Sequence, residues 1–206
     1  GPGAPFVAGV YVEGQEGDLV TLYRREVEAI ATAGGTPILF QTARLHGRPA
    51  AEVAAVYAAA VRDVREALAF ELGRMFAPNG EIWPEETAAA IMEIPQITGM
   101  KHSSLDRMRA RLELRDRLRP EFAIYTGNDL GISMIEVGSD YLLGLATFAP
   151  ESFAARDRAW EAGDAGYFSL SDALQHLGNV AFRAPVPAYK SSAAHFLCAL
   201  GQIPTP

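Results

Sequence analysis

Cysteine is almost absent from this chain of 206 residues. The one thiol, Cys198, has no partner for an internal disulfide, and it lies in the apolar run His195-Phe-Leu-Cys-Ala-Leu200. That context predicts a buried structural thiol in a reducing, cytoplasmic setting. Positive charge is also in short supply. The net charge of −7 argues against a broad nucleic-acid surface, although the stretch Arg107 to Arg119 is locally basic. Asp106, Glu113 and Asp116 intersperse that stretch, so it reads as a solvated, salt-bridged helix face. No apolar run approaches the ~18 residues that cross a membrane, and no signal-peptide pattern is present. The four histidines, His46, His102, His176 and His195, are scattered, and no two share metal-ligand spacing with a carboxylate. Neither a metal nor a cofactor is expected.

What the chain does have is a repeated order of elements. Phe6-Val-Ala-Gly-Val-Tyr-Val12 is a short apolar strand, followed by a helical pattern through Leu19, Leu22, Val27 and Ile30 that stops at Gly34-Gly35. The alternation returns with a strand at Thr36 to Phe40 and a helix from about Pro49 to Glu66, then a strand at Ala67 to Leu72 and a helix beginning near Pro84. Strands at Gln96 to Lys101, Phe122 to Thr126 and Tyr141 to Ala146 follow, each leading into helical sequence. Helices near Ser152 to Ala162, Ser169 to Ala181 and Tyr189 to Leu200 close the chain. The strands are continuous apolar runs without period-two alternation, as a parallel sheet covered on both faces requires.

Six βα units suit either an open doubly wound sheet or part of a (β/α)8 barrel. A dinucleotide fold is disfavoured. Where its Gly-rich turn should follow the first strand, Val12-Glu-Gly-Gln-Glu-Gly-Asp18 sets three carboxylates at the position of a pyrophosphate. Gln41 and Thr42, Glu71, Lys101 and Gly127-Asn-Asp129 each stand at the C-terminal end of a different strand, where barrel enzymes place their chemistry.

Lys101 is the most informative residue. Only it and Lys190 are lysines among 18 basic residues, and Lys101 ends an apolar strand, Ile97-Thr-Gly-Met-Lys101. Burial among apolar walls lowers an ammonium pKa and yields a neutral amine that attacks carbonyls, which arginine cannot do. A lysine that snorkels to solvent, or pairs with Glu71 or Asp129, fits the spacing equally well. His102, next along the strand, points to its opposite face and is expected to pack against a helix. Asp129 as a helix N-cap explains Asn128-Asp129 without a ligand, and Ser103 and Ser104 suit the start of the next helix.

The segment Ile94-Pro-Gln-Ile-Thr-Gly-Met-Lys-His-Ser-Ser104 resembles the P-x-I-x-G-x-K-x-S-S stretch around the Schiff-base lysine of the dihydrodipicolinate synthase and N-acetylneuraminate lyase family. Three neighbours agree in order. Phe6-Val-Ala-Gly-Val10 is similar to the family's third strand, Tyr125-Thr-Gly-Asn-Asp129 to the G-D-D at the end of the seventh, and Gly138 to Gly144 to the eighth. The resemblance implies a (β/α)8 TIM barrel, here strands 3 to 8 over residues 1–150, with a C-terminal helical extension over 151–206. It implies a homo-oligomer acting on a small 2-oxo acid such as pyruvate. Lys101 would condense with the ketone, Gly127 and Asn128 would lie near the bound acid, and Leu143 would approach the pyruvyl carbon.

Departures from the pattern matter too. Where the family's fifth strand ends in a proton-shuttling tyrosine, this chain has Phe70 followed by Glu71. Glu71 could serve as general acid/base in a dry barrel mouth, or simply pair with Lys101 or Arg74. Arg74 is the candidate for the family's substrate-side arginine. The family also carries two earlier βα units, the second with a G-T-T-G-E turn that binds the oxo-acid carboxylate, and nothing before Gly1-Pro-Gly-Ala-Pro5 supplies it. Truncation or a further N-terminal part is expected, since the missing units, on the order of 80 residues, would restore the ~250 or more of the fold. Two functions are therefore open: a Schiff-base lyase or synthase, or a degenerate barrel that binds a small oxo acid or sugar acid without turnover.

Overall fold

A computed structural model describes residues 3–206. Two compact units divide the chain, one ending at Tyr125 and the other running from Thr126 to Pro206. In the first, strands β1 (Val7–Val10), β2 (Thr36–Phe40), β3 (Ala67–Glu71) and β4 (Ile97–His102) pair in parallel and in chain order. Helices α1 (Leu19–Thr32), α2 (Ala50–Val61), α3 (Glu85–Met92) and α4 (Met108–Leu118) separate the strands, and the boundary between the units falls within β5 (Ala123–Thr126), before its last residue. With β6 (Asp140–Tyr141), the chain supplies six strands in strict alternation with helical segments, an incomplete (β/α)8 barrel.

Local chemistry sets the element ends. Asp18 caps α1 by accepting from the Thr21 amide at 2.8 Å, and the helix stops at Gly34, whose φ of +81° is open to glycine without strain. Parallel pairing then sorts the strand side chains into two faces. Val10, Leu39, Ala69, Met100 and Ile124 make one layer on the helix side, each 0% exposed. Val10, Leu39, Met100 and Ile124 each contribute roughly 1.5–3 kcal/mol. The layer above it on the same side turns polar, with Gln41, Glu71 and His102 all buried.

The opposite face carries Ile38, Leu68 and Gly99, then Phe40, Phe70 and Lys101, by the register of β2 through β4. A bulge keeps that register. Ala67 pairs with Ile97 but Leu68 with Gly99, so Thr98 is the extra residue in β4, and Gly99 and Lys101 share one face beyond it.

The second unit has its own core of Ile132, Leu143, Leu145, Phe148, Phe153, Leu174, Ala181 and Phe182. Helix α5 (Pro150–Glu161) supplies Phe153 and α6 (Gly166–Ala181) supplies Leu174 and Ala181, while Ala193 and Phe196 of α7 (Tyr189–Ala199) pack against them. Arg156, 0% exposed, is held over the rings of Phe153 and Tyr141 at 4.8 and 4.9 Å.

Two expected elements differ. The strand anticipated at Tyr141 to Ala146 covers only Asp140–Tyr141, because a short 3-10 turn forms at Gly144–Thr147. The Leu145 amide there donates to Asp129 Oδ1 at 2.7 Å. That bond also replaces the N-cap expected of Asp129. The segment after β5 forms a 3-10 turn, Ile132–Val137, instead of an α-helix.

Candidate active site

Lys101 stands near the end of β4, half-buried, with Nζ 4.6 Å from the centre of the Phe70 ring. Phe70 is its partner in the parallel register. The Phe70 ring meets Phe40 on β2 edge-on at 4.8 Å, and Phe40 meets Tyr11 edge-on at 5.9 Å. Gly9 makes this possible, since a methyl group there would lie 2.8 Å from Phe40 Cε2. Tyr11, just past β1, Phe40, Phe70 and Lys101 thus form one row, aromatic until it reaches the amine.

Tyr125 belongs to the same face. A methyl group on Gly99 would lie 2.9 Å from Cε2 of the Tyr125 ring and 3.1 Å from Ala123 Cβ. The ring therefore lies over the glycine two residues before Lys101. Neither Tyr125 nor the Tyr11–Phe40 stack was singled out from the sequence. The available signal was the glycine at Gly99 with a tyrosine on the next strand.

Glu71 stands elsewhere. Its neighbours in the row alternate faces, and its carboxylate, 0% exposed, is directed to the helix side. Arg111 of α4 donates from Nε to Oε2 at 3.0 Å and from Nη2 to Oε1 at 2.6 Å; the Trp83 amide donates to Oε1 at 2.7 Å; and His102 Nδ1 lies 2.5 Å from Oε2. Burial by itself would raise this carboxyl, but the hydrogen bonds and charge of His102 and Arg111 outweigh it and hold the pKa below the ordinary value. The pairing with Lys101 or Arg74 read from the sequence is replaced by a pairing with Arg111 and His102. Arg111 is itself a correction, because the helix expected to be solvated sends this one arginine, 3% exposed, into the core.

The remaining sequence candidates divide by unit. Arg74 is exposed in the loop after β3. Gln41 is buried and pins that loop, donating to the Glu81 carbonyl at 2.7 Å and accepting from the Leu72 amide at 3.0 Å. Ser103 ties the loop down instead of capping α4: its hydroxyl donates to the Glu71 carbonyl at 3.0 Å and accepts from the Gly73 amide at 2.6 Å. In the second unit Gly127, Asn128 and Leu143 are all buried, and Asn128 Oδ1 accepts from the Leu130 amide at 3.0 Å. Cys198 is half-buried. Among the described residues no helix is long and apolar enough to cross a membrane.

A family model described as "Protein of unknown function (DUF993)" matches residues 12–202. No curated protein matches the chain. Solved structures do. A prophage protein of the dihydrodipicolinic acid synthase family from E. coli K12, in complex with pyruvate, is similar at a TM-score of 0.80 and 14% identity over 97% of this chain and 65% of that one. The dihydrodipicolinate synthase of Rhodopseudomonas palustris gives 0.75 and 15% over 97% and 66%. The enzyme from Cyanidioschyzon merolae with lysine bound gives 0.69 and 16% over 96% and 64%. The chain thus spans about two thirds of the length of these structures. At such identities the likeness establishes the fold, and the resemblance to dihydrodipicolinate synthase barrels read from the lysine segment holds for the architecture.

Proposed function

The chain belongs to the DUF993 family, and we propose that it acts as a class I aldolase-type lyase in which Lys101 forms an imine with pyruvate or another 2-oxo acid. The observation that carries this reading is the setting of Lys101: an amine on the face turned away from the helices, flanked by an aromatic ring 4.6 Å away. Attack of the Lys101 amine on the ketone gives a carbinolamine, and loss of water gives an iminium. That iminium draws electrons from the adjacent carbon while a carbon–carbon or carbon–oxygen bond forms or breaks. A cation within about 6 Å of a ring face is favoured, so Phe70 can stabilise the iminium although it has no proton to give.

Support comes from two further sources. The lysine segment resembles that of Schiff-base aldolases, and the similar E. coli protein is described in complex with pyruvate. By the same resemblance Gly127, Asn128 and Leu143 are candidates for oxo-acid binding, Arg74 for the substrate side, and the working protein is a homo-oligomer, while the scarcity of cysteine suits a cytoplasmic setting. Glu71 is left out of the chemistry, because its oxygens already accept from Arg111 and the Trp83 amide.

The absence of a hydroxyl at Phe70 favours a second reading, a barrel that binds a small oxo acid or sugar acid without turnover. Two measurements separate the readings. Intact mass is recorded after sodium borohydride and pyruvate, on the wild type and on Lys101→Ala, and the wild type is then assayed for aldol cleavage and condensation with a panel of aldehydes. An adduct lost in Lys101→Ala together with turnover is the expected result. An adduct without turnover selects the binder, and no adduct with pyruvate or longer 2-oxo acids overturns the lyase reading.

A further inference from the structure

Imine formation needs a proton carrier. The carbinolamine oxygen leaves as water only if it receives a proton, and at neutral pH a positioned side chain supplies it. Around Lys101 the first unit offers few such groups. Phe70 flanks the amine on one side with a hydrocarbon ring. Glu71 and His102 face the helices, bound to each other. Tyr11 has a phenol, but the rings of Phe40 and Phe70 stand between it and Lys101. On the other flank, Tyr125 of β5 lays its ring over Gly99, on the face that Gly99 shares with Lys101.

Resting on the imine reading above, we propose that the Tyr125 phenol carries the protons of imine formation at Lys101. Three features support it. Gly99 has no Cβ, and any side chain there would collide with the ring, at 2.9 Å from Cε2. Cε2 adjoins the carbon that bears the hydroxyl, so it is the phenolic end of the ring that reaches β4. The bulge at Thr98 puts Gly99 and Lys101 in step, so the phenol approaches the strand from the side on which the amine projects.

In the step itself, the Lys101 nitrogen bonds to C2 of the oxo acid as the C=O π pair moves to oxygen. The Tyr125 phenol gives its proton to that oxygen to make the carbinolamine hydroxyl, and the phenolate takes a proton back from the nitrogen. The C2–O bond then breaks as the Tyr125 O–H proton passes to the departing oxygen, which leaves as water. The nitrogen lone pair forms the C=N bond. The phenolate left behind is reprotonated from solvent, and hydrolysis of the product imine runs the same transfers in reverse.

The test uses the full chain and pyruvate, with samples quenched in borohydride at intervals after mixing. Tyr125→Phe keeps the ring over Gly99 and removes only the hydroxyl, and a single cooperative thermal transition shows that the variant is folded. Its adduct should accumulate about 100-fold more slowly or worse, the usual weight of a general acid. Adding Phe70→Tyr in the Tyr125→Phe background puts a phenol on the other flank of Lys101 and should recover part of the rate. Tyr125→Phe at the wild-type rate overturns the proposal, as does a double variant no faster than the single. If the wild type itself forms no adduct, the imine reading falls and this assignment falls with it.

Discussion

Arg111 and Glu71 meet through two parallel hydrogen bonds deep in the first unit, with side chains 4% and 0% exposed. The pair joins α4 to the end of β3, and His102 and the Trp83 amide complete the carboxylate's partners. Fork geometry of this kind suits arginine and not lysine. Removing one member leaves the other as a buried charge without compensation.

Glu71→Gln should therefore lower the unfolding free energy by about 3 kcal/mol or more. Urea denaturation of the wild type, Glu71→Gln, Arg111→Met and the double variant Glu71→Leu with Arg111→Met measures it. The double variant should cost less than either single change, because apolar replacement of both partners strands no charge. Single variants within about 0.5 kcal/mol of the wild type would mean that the pair is solvated in solution.

The same network predicts an acid limb. Burial pushes the Glu71 carboxyl up, but the hydrogen bonds and charge of His102 and Arg111 push it further down, below the ordinary value of 4.5. A carboxyl depressed in the folded state contributes its full stabilisation above the unfolded-state value. That contribution is lost as pH falls through the folded value. Stability measured from pH 7 downward should fall below about pH 4.5 in the wild type, and the gap between wild type and Glu71→Gln should narrow over the same range. A gap unchanged down to pH 3 would show that Glu71 is not the titrating group.

Sequence made the six strands legible because their apolar runs are continuous and bounded by Gly, Pro and charge. Lys101 was legible because lysine is rare here and sits at a strand end. Three things were not. Glu71 was assigned to the mouth because it ends a strand, yet successive strand residues point to opposite faces. The one-residue step from Phe70 to Glu71 decides between amine and helix. Arg111 was read as solvated because α4 is full of charge, and nothing local marks the one arginine that a buried carboxylate draws inward. Tyr125 was invisible for a different reason: its relation to Lys101 depends on the bulge at Thr98, a feature of pairing and not of local sequence.

Arg119 should behave as a structural clamp. Its Nη1 donates to the carbonyls of Met92, Ile94 and Ile97 at 3.1, 3.1 and 2.8 Å, closing the turn between α3 and β4. Hydrogen bonds to a charged group are worth roughly 1.5–3 kcal/mol each before the cost of ordering, so Arg119→Ala should destabilise by about 2 kcal/mol. Arg119→Lys should restore little, because Nη2 also reaches the Pro95 carbonyl at 3.3 Å and Nε the Glu121 carboxylate at 2.9 Å, a spread that one ammonium on a flexible stem does not reproduce. Equal stability of the Lys and Arg forms in urea unfolding would show that charge, not geometry, closes the turn.

Gly99 provides the sharpest check of how β4 and β5 pack around Lys101. An added methyl group would lie 2.9 Å from the Ala123 carbonyl oxygen and 2.9 Å from Tyr125 Cε2. The carbonyl belongs to a strand and cannot give way cheaply, so Gly99→Ala should cost about 1–3 kcal/mol, as overpacking does. Gly73→Ala is the matched control. A methyl there would meet only side chains, Ser103 Oγ at 3.3 Å and Ile82 Cδ1 at 3.7 Å. Lower chain entropy in the unfolded state offsets that contact, leaving the change within about 1 kcal/mol of neutral. Urea midpoints of the two variants decide the matter. A Gly99→Ala protein as stable as Gly73→Ala would mean that the Tyr125 ring does not lie against β4 in solution, and the phenol would then stand away from the amine it is proposed to serve.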